Sequence, residues 1–420
     1  MHITVGIASA TVAGTWPMLL AALLATLATA RYAVAEQPQS APGGQPQLPI
    51  LGWHGLMEKD ITLERLVEMR EAGFTHNHGG FHSAQGLQQA LDLAHQAGIK
   101  LVANVHQVGP DPVTAIRRFK DHPALGGVFF TDEPGTSQFD ELGRQVRQVR
   151  QEAPDLLCYI NLFPDWADLQ KQLEAQSYEQ YVRLYLQKVP TQIVSFDHYP
   201  ITKVGFRNSF YQNLDLIRRL SQEAGKPFWA FTISIPHTAH PKPTLAHMRL
   251  QQYSNLAYGA QGLQYFTYTT PPLDEFSSGP LDLQFKRTDI YDLVRQLNQE
   301  LQARAWVFVG SSVVSIGHTG STLPDGTTRY QPADPIRSVE LSGNGAVVSV
   351  LKCGSSPSRC LVIVNRDYEK AQQLKVTWDP AGKLNLIGRD GKRTRLEGES
   401  LEQTLEAGDA CILEWTTPAP

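Results

Sequence analysis

The sequence carries little net charge for its length and contains no basic cluster. Its 420 residues include 37 Lys and Arg against 41 Asp and Glu, a formal net charge of −4. Nucleic acids and anionic membrane surfaces are bound mainly through clustered positive charge, so this balance argues against both as partners. An uncharged sugar is compatible with the balance, although the balance alone does not select it.

The N-terminal hydrophobic run, PMLLAALLATLATA at Pro17–Ala30, is too short to span a bilayer comfortably. It is followed by Ala33-Val34-Ala35, a small-residue pattern typical of signal-peptide cleavage. We therefore predict a signal peptide over residues 1–35 and a secreted or periplasmic protein, with no stable membrane insertion after cleavage. An uncleaved N-terminal membrane anchor is the alternative. Residues 36–48, rich in Pro, Gln and Gly, predict a flexible leader.

Cysteine is scarce, with four residues in the chain and no metal-binding spacing among them. Cys353 and Cys360 flank the sequence GSSPSR between two β-rich runs, so they are predicted to form a disulfide across a hairpin in an oxidising compartment. Two free thiols near one loop are the alternative, which the separation of the Cα atoms would decide. Cys158 lies in an apolar strand pattern and is interpreted as a small buried hydrophobic residue.

Residues 49–305 alternate between short apolar runs and amphipathic stretches. Such alternation predicts parallel strands joined by crossover helices. Eight units over about 250 residues match a closed (β/α)8 barrel, the TIM barrel. An open doubly wound sheet usually carries a glycine-rich phosphate turn after its first strand, and GWHGLMEKD lacks that spacing. Predicted helices in the second half are Gln138–Glu152, Asp168–Gln187, Phe210–Ala224, Leu245–Tyr258 and Asp289–Ala303.

The pattern changes after Ala303 from helical to alternating. Runs such as AWVFVG, SSVVSIG, AVVSVL and CILEW are separated by turn signals such as GNG and DPAG. We therefore predict a small all-β domain over residues 306–420, most simply a β-sandwich. No catalytic cluster is visible in it.

The segment GGVFFTDEPG provides the strongest candidate for chemistry. An apolar strand runs directly into Asp132 and Glu133, at the end of the barrel where active sites form. Cleavage of a glycosidic bond needs a proton delivered to a poor leaving group, and apolar neighbours such as Phe129 would raise the pKa of Glu133 for that purpose. The alternative is that the acid pair caps the following helix.

Glu-Pro after the fourth strand resembles the acid/base motif of retaining TIM-barrel glycoside hydrolases. HPALGGVFFTDEPG and SFDHYPI are also similar to stretches of bacterial barrel hydrolases that carry a C-terminal β-sandwich. The resemblance covers the barrel as a layout and a few short motifs as sequence. It implies a secreted enzyme that acts on an oligosaccharide or polysaccharide, with Glu133 as the proton donor. No cofactor is implied.

Two departures from that group leave the second catalytic group open. Position 132 is Asp where the group has Asn, and the seventh strand, PFWAFTISIP, has no acid near its end, where the group keeps its nucleophile. In one solution Asp197, after the sixth strand, is the second carboxylate. In the other, the Asp132-Glu133 pair resembles hexosaminidases in which the Asp orients the acetamido group of the substrate and no enzyme nucleophile is needed.

Other polar and aromatic residues at the strand ends are assigned to sugar binding. Aromatic rings suit the apolar C–H face of a pyranose, and amides or imidazoles suit its hydroxyls. Asp197 has an alternative structural role as the partner of a backbone amide or an arginine. The predicted substrate-binding residues are Trp53, His54, Asn77, His78, Asn161, Tyr199 and Tyr268.

Two other classes of function remain open. His76 and His78 lie on one face of a strand, as in metal-dependent amidohydrolases, but only His198 offers a later ligand. We therefore predict no metal site. The missing acid on the seventh strand leaves a non-catalytic carbohydrate-binding barrel as the main alternative to a glycosidase.

Overall fold

The computed structural model describes residues 46–354 and 356–416, and it shows a closed barrel of eight parallel strands. The barrel closes where the first strand pairs with the eighth, as Gly52 does with Tyr265. The predicted TIM barrel is confirmed. Its strands are β1 (Ile50–Trp53), β2 (His76–Gly80), β3 (Lys100–Asn104), β4 (Leu125–Asp132), β5 (Leu157–Leu162), β6 (Val194–Phe196), β7 (Phe228–Ile233) and β8 (Gly262–Phe266).

A helix follows each barrel strand, and local capping sets where several of them begin and end. The Thr62 side chain accepts a hydrogen bond from the Arg65 amide at the first helix, and Gly98 ends the second with a φ of 75°. The helices are α1 (Leu63–Glu71), α2 (Ala84–Ala97), α3 (Pro112–Ile116), α4 (Phe139–Glu152), α5 (Tyr178–Lys188), α6 (Phe210–Glu223), α7 (Leu245–Ala257) and α8 (Asp289–Ala303).

The prediction of a helix from Asp168 is wrong in its first part. The Asp168 carboxylate accepts hydrogen bonds from the amides of Gln170 and Lys171, which stabilises a turn instead of a helix. Ser177 provides the cap, and α5 begins only at Tyr178. The loop between β5 and α5 is therefore long, and it lies at the carboxyl end of the barrel.

The barrel interior is packed with side chains. Gly262 permits this packing, because a Cβ there would lie 2.4 Å from Cε2 of Trp229. The interior core ends toward the carboxyl side at Trp53, which is half-buried. We therefore expect a ligand to bind above Trp53, at the mouth formed by the carboxyl ends of the strands. The core residues are Leu51, Val102, Phe129, Tyr159, Ile193 and Trp229.

The C-terminal strands form two antiparallel sheets, which confirms the predicted β-sandwich. One sheet has the order β9-β11-β12-β17-β14-β15 and the other β10-β13-β16. The strands are β9 (Ser312–His318), β10 (Ile336–Leu341), β11 (Ala346–Lys352), β12 (Ser358–Asn365), β13 (Gln372–Trp378), β14 (Asn385–Ile387), β15 (Arg393–Arg395), β16 (Ser400–Leu405) and β17 (Ala410–Thr416).

The run AWVFVG was predicted as the first strand of this domain, and that prediction is wrong. Ala305–Phe308 forms a short helix, α9, directly after α8. A short apolar run fits either a strand or a helix, and here Val307 and Phe308 are fully buried against the barrel helices. The first strand begins at Ser312, past the predicted boundary at residue 306.

The six-stranded sheet is buried on both faces. In β11, Val348 packs into the core between the two sheets, whereas its neighbour Val347 joins the core of the barrel. Helix α7 lies between the barrel and this sheet and is buried over almost its whole length. Its Arg249 forms a buried ion pair with Glu300 of α8, at 2.5 Å. Barrel and β-sandwich therefore share one continuous core.

The chain before β1 is described from residue 46 onward. Leu48, which we predicted to lie in the flexible leader, is instead buried, and its amide and carbonyl both pair with the Gln302 side chain at 3.1 and 2.8 Å. The rest of the predicted leader and the predicted signal peptide lie outside the described residues. Among the described residues, no helix is both long and apolar enough to cross a membrane.

Cys353 and Cys360 face each other at the turn between β11 and β12. The amide of Cys353 donates to the Ser358 carbonyl at 3.1 Å, and the two buried Sγ atoms lie 2.7 Å apart. The structure contains both as thiols, so the disulfide stays a prediction. Cys158 is fully buried within β5, as predicted.

Candidate active site

The predicted acid pair lies at the carboxyl end of strand β4, at the mouth of the barrel. The strand ends at Asp132, and Glu133 adopts the left-handed conformation with a φ of 48°. Its amide donates to the Asn161 carbonyl at 2.9 Å, which holds the turn. A non-glycine residue in this conformation costs about 1–3 kcal/mol and persists only where the surroundings enforce it, commonly at functional sites. The pair does not cap a helix, because α4 begins only at Phe139.

Asn161, at the end of β5, joins two of the predicted carboxylates. Its Nδ2 donates to Oδ1 of Asp132 at 3.2 Å and to Oδ1 of Asp197 at 2.9 Å. Its Oδ1 accepts a hydrogen bond from the Ser195 hydroxyl at 2.9 Å. Both N–H donors of the Asn161 amide are therefore used within the protein to position the acids, and its predicted role in substrate binding stays a prediction.

The acidic side chains from β4 and β6 lie close enough to affect each other's protonation. The carboxyl of Glu133 and that of Asp197, which is buried, each affect the pKa of the other. Burial and the neighbouring Asp132 raise the pKa of Glu133 to about 7. Burial, Glu133 and Asp132 also raise the pKa of Asp197. Because both cannot ionise easily at this separation, the Glu133–Asp197 pair retains a proton up to nearly neutral pH.

Asp132 lies on the outer side of this cluster. Solvent reaches its side chain, yet protein crowds it on most sides, as on the wall of a cleft. Desolvation raises the pKa of Asp132 to about 6, against the opposing effect of the hydrogen bond from Asn161. The three carboxyls thus differ in solvent access, with Asp197 deepest and Asp132 nearest to solvent.

A chain of buried hydrogen bonds supports Asn161 from inside the barrel. Tyr159 donates to Oε1 of Gln264, and Nε2 of Gln264 donates to the Ser195 hydroxyl at 2.9 Å. Ser195 then donates to Asn161, which fixes the direction of every donor along the chain. The sequence analysis missed Gln264 and Ser195. The sequence feature that could have identified them is a polar residue inside each of two apolar strands, GLQYF and VSF.

Trp53 and His78 form the floor of the mouth. Their rings stack with centroids 4.2 Å apart and 7° between their planes, and Trp53 also meets the edge of Phe129. His78 is buried, and neither of its ring nitrogens has a hydrogen-bond partner among the described residues. Burial lowers the pKa of His78 to about 3. Trp53 keeps partial exposure above this layer, where we predicted a ring to stack against sugar.

Two predicted substrate-binding residues do not reach the mouth. Asn77 is fully buried, and its amide pairs with the backbone of Leu56 at 2.7 and 3.0 Å, so it holds the loop after β1. Tyr268 is fully buried against Phe74 in the core between barrel and helices. Both lie near strand ends as predicted, but their side chains point away from the mouth and serve packing.

His54 and Tyr199 remain accessible. The Nδ1 atom of His54 lies 3.0 Å from Oγ1 of Thr269, and the His54 side chain is half-buried. The ring of Tyr199 packs edge-on against Phe231, and its hydroxyl has no hydrogen-bond partner among the described residues. Both can therefore contact a ligand at the rim, where their predicted roles remain predictions.

The histidines do not meet at one point. His198 turns away from the mouth, and its Nε2 lies 3.3 Å from the Ser209 hydroxyl. His76 lies at the start of β2, where its Nδ1 meets the Thr75 hydroxyl at 2.7 Å. Within residues 46–354 and 356–416, no group of three or more His, Cys, Asp or Glu side chains is arranged to hold a metal ion.

The loops after β5 and β6 add a cation that the sequence analysis missed. The Arg207 guanidinium lies over the ring of Trp166, 4.4 Å from its centroid. Trp166 is 51% exposed, a rare value for tryptophan in this fold. The two residues follow β5 and β6 at the carboxyl end of the barrel, and the charge of Asp197 acts on the pKa of Arg207.

Comparison with solved structures identifies proteins of similar fold. No protein-family model matches the sequence, and no curated protein matches it either. The structure is similar to an α-amylase from Geobacillus thermoleovorans (TM-score 0.53, 10% identity, covering 89% of this chain and 99% of that one). It is also similar to an Anoxybacillus α-amylase (TM-score 0.52, 10% identity, covering 89% and 99%). A β-galactosidase from Marinomonas ef1 aligns at a TM-score of 0.45 and 11% identity, over 61% of this chain and 60% of that chain.

The alignment with the two amylases covers more of the chain than the barrel alone, so it extends into the β-sandwich. The fold that the chain shares with these two α-amylases is therefore a TIM barrel with a C-terminal β-sandwich. At 10% identity the likeness establishes the fold, and the chemistry has to be argued from the residues at the mouth.

Proposed function

We propose that the protein is a glycoside hydrolase that cleaves an O-glycosidic bond with Glu133 as general acid and base. The observation that carries this proposal is the location of Glu133 at the carboxyl end of β4, in the left-handed conformation, where burial and Asp132 raise the pKa of its carboxyl to about 7. A general acid works best when its pKa lies near the working pH. Glycosidic cleavage needs such a proton on the departing oxygen.

Asp197 is the best candidate for the second carboxylate. Retaining enzymes hold their two carboxyls about 5–5.5 Å apart, and inverting enzymes leave about 6.5–9.5 Å for a water. Glu133 and Asp197 each affect the pKa of the other, so the two carboxyls are neighbours, which favours the shorter separation of the retaining enzymes. Asp197 would attack the anomeric carbon while Glu133 protonates the leaving oxygen. Water activated by Glu133 would then release the sugar.

Substrate assistance remains the alternative within the same class. Asp132 is the most solvent-accessible of the three acids and follows directly on β4, so it could accept the N–H of an acetamido group. Its hydrogen bond from Asn161 favours the ionised form that this role requires. In that mechanism Asp197 would only support the site, and the enzyme would act on N-acetylhexosaminides alone.

The second candidate function is a barrel that binds carbohydrate without cleaving it. The end of β7, where retaining enzymes of this group keep their nucleophile, carries Thr232 and Ser234 and no carboxyl. Both are fully buried, and Ser234 is hydrogen-bonded to the Thr267 carbonyl at 2.6 Å.

The deciding experiment is hydrolysis of a panel of aryl glycosides that includes N-acetylhexosaminides. Glu133→Gln should lower kcat/KM by about 10²–10⁴-fold, because it removes the proton donor. Glu141→Gln, on the exposed surface of α4 and paired with Arg144, is the control and should retain full activity. Equal rates for wild type and Glu133→Gln would refute the acid/base assignment. Binding of glycans without any cleavage would favour the binding barrel.

Asp197→Asn separates the two mechanisms. If Asp197 is the nucleophile, the variant should lose activity toward every substrate that the wild type cleaves. If the substrate provides its own nucleophile, activity should be confined to N-acetylhexosaminides and Asp132→Asn should be the more damaging change. We also propose that the protein is exported, with cleavage after Ala35, which N-terminal sequencing of protein recovered outside the cytoplasm would test.

A further inference from the structure

Arg207 and Trp166 form a stacked pair on the side of the mouth nearest Asp197. The guanidinium covers one face of the indole at 4.4 Å from the ring centroid. The side chain of Trp166 is 51% exposed, and because the guanidinium covers one face, we infer that the other face is open to a ligand. Because the two residues follow β5 and β6, the pair lies at the carboxyl end of the barrel, beside the proposed catalytic acids.

The guanidinium of Arg207 has no hydrogen bond or ion pair to any residue that the structure describes, and its Nη1 is buried without a partner. The nearest acid in sequence to Trp166, Asp165, is already engaged, since it accepts a hydrogen bond from Ser209 at 3.0 Å and lies 3.4 Å from His198. Burial lowers the pKa of Arg207, and the charges of Asp165 and Asp197 oppose this effect. A partly desolvated cation with unused donors is unfavourable unless a ligand completes it.

Both members of the pair are held by rigid backbone. The Arg207 amide donates to the Pro200 carbonyl at 2.8 Å, and the Arg207 carbonyl accepts from Phe210 at 3.2 Å. On the other loop, the amide of Asp165 donates to the buried Asn213 side chain at 3.1 Å. The donors of Arg207 and the open face of Trp166 are therefore set in place before any ligand binds, which lowers the entropic cost of binding.

We propose that Arg207 and Trp166 form a subsite for an acidic glycan chain, in which Arg207 binds a carboxylate or sulfate group and Trp166 stacks against the neighbouring sugar. Arginine pairs with both anions through two parallel N–H donors, and the indole suits the apolar face of a pyranose. The guanidinium and the open indole face lie on opposite sides of the ring, so one sugar cannot reach both. The substrate is thus an oligosaccharide of at least two units that carries negative charge.

This inference rests on the proposed function, because it names the substrate class of the same mouth. It also accounts for the location of the cation. The acids at the mouth repel a negatively charged substrate to the extent that they are ionised, and Arg207 is a positive group in the same part of the barrel. Arg207 is electrostatically coupled to Asp197 and offsets part of that repulsion.

The test is calorimetric binding to the full chain carrying Glu133→Gln, which prevents turnover. The probes are a galacturonic acid tetrasaccharide, a sulfated galactan tetrasaccharide and a neutral galactan tetrasaccharide. Arg207→Gln should weaken binding of an anionic probe by about tenfold or more and leave the neutral probe unchanged. Arg207→Lys should recover only part of the loss, because lysine lacks the paired donors. Trp166→Ala should weaken anionic and neutral probes alike.

Arg218→Gln is the matched control. Arg218 lies on α6 and pairs with Asp215 at 2.7 Å, so the change removes the same charge and should leave binding unaffected. Melting curves of each variant confirm that it is folded. The preferred anionic probe identifies the group as carboxylate or sulfate. The proposal is overturned if Arg207→Gln binds the anionic probes as tightly as the control does, or if neither anionic probe binds the parent protein.

The outcomes also separate this inference from the proposed function. If the wild type cleaves neutral glycosides and Arg207→Gln does not change binding of the anionic probes, the proposed hydrolase function stands and the acidic subsite is refuted. If an acidic tetrasaccharide binds in a manner that depends on Arg207, but the wild type cleaves no substrate, the subsite stands and the hydrolase function is refuted.

Discussion

Asn161 donates hydrogen bonds from one amide nitrogen to both Asp132 and Asp197. These bonds tie the end of β4 to the loop after β6 and favour the ionised form of each acid. Asp197 has to be ionised if it acts as the nucleophile, so the proposed mechanism depends on the hydrogen bond from Asn161.

The first prediction concerns Asn161→Ala. The loss of the two bonds raises the pKa of Asp132 and Asp197 further, so less of the carboxylate form is present at a given pH. We expect kcat/KM to fall about 10–100-fold, as for a lost hydrogen bond to a charged group. The acidic limb of the pH–rate profile should move to higher pH. An unchanged profile with reduced activity would indicate a structural role alone.

The second prediction uses Asn77, which also lies near a strand end. Its amide is fully paired with the backbone of Leu56, so Asn77→Ala should lower the free energy of unfolding by about 1–3 kcal/mol. Activity per folded molecule should be retained. Chemical denaturation combined with kcat and KM measurements distinguishes this result from that of Asn161→Ala. A raised KM without loss of stability would instead support the predicted role of Asn77 in substrate binding.

A third prediction links the acids to stability. The pKa of Glu133 is raised above its ordinary value, so the folded state binds its proton more tightly than the unfolded state does. Its contribution to stability is therefore full at about pH 4 and is lost as the pH rises through about 7. We expect Glu133→Gln to melt at a higher temperature than the wild type at pH 8, with the difference vanishing near pH 4. Thermal melts across this range test it, with Glu141→Gln as the control.

The fourth prediction is the disulfide between Cys353 and Cys360. In protein recovered from an oxidising compartment, mass spectrometry of the tryptic peptides should find the two joined. Reduction should then lower the melting temperature, because the link restricts the unfolded chain. Cys353→Ser should abolish the effect of reduction. If both thiols alkylate freely in the secreted protein, the pairing does not form.

The alternation of strands and helices was predictable because its period is local, and so was the acid pair that ends β4. The direction of side chains at strand ends was less predictable. Asn77 and Asn161 are the same residue in similar positions, yet one pairs with a nearby backbone and the other with two carboxylates from different strands. That difference depends on which groups the closed barrel brings together across the chain.

The boundary errors have a similar origin. The composition of AWVFVG fits a strand, but burial of this run against the barrel stabilises a helix instead. Gln264 and Ser195 could be seen as polar residues in apolar strands, but their partners, Tyr159 and Asn161, lie far away in the sequence. No local sequence pattern predicted the contact between Arg207 and Trp166, because their stacking results from the packing of two loops.

The order of the six-stranded sheet also bears on how the protein acquires its structure. Strand β17, at the very end of the described chain, lies between β12 and β14, and the sheet that covers α7 is complete only when β17 is inserted. The side of the barrel that α7 covers thus gains its complete outer layer only after strands that are distant in the sequence have paired. This arrangement couples the folding of the barrel to that of the β-sandwich.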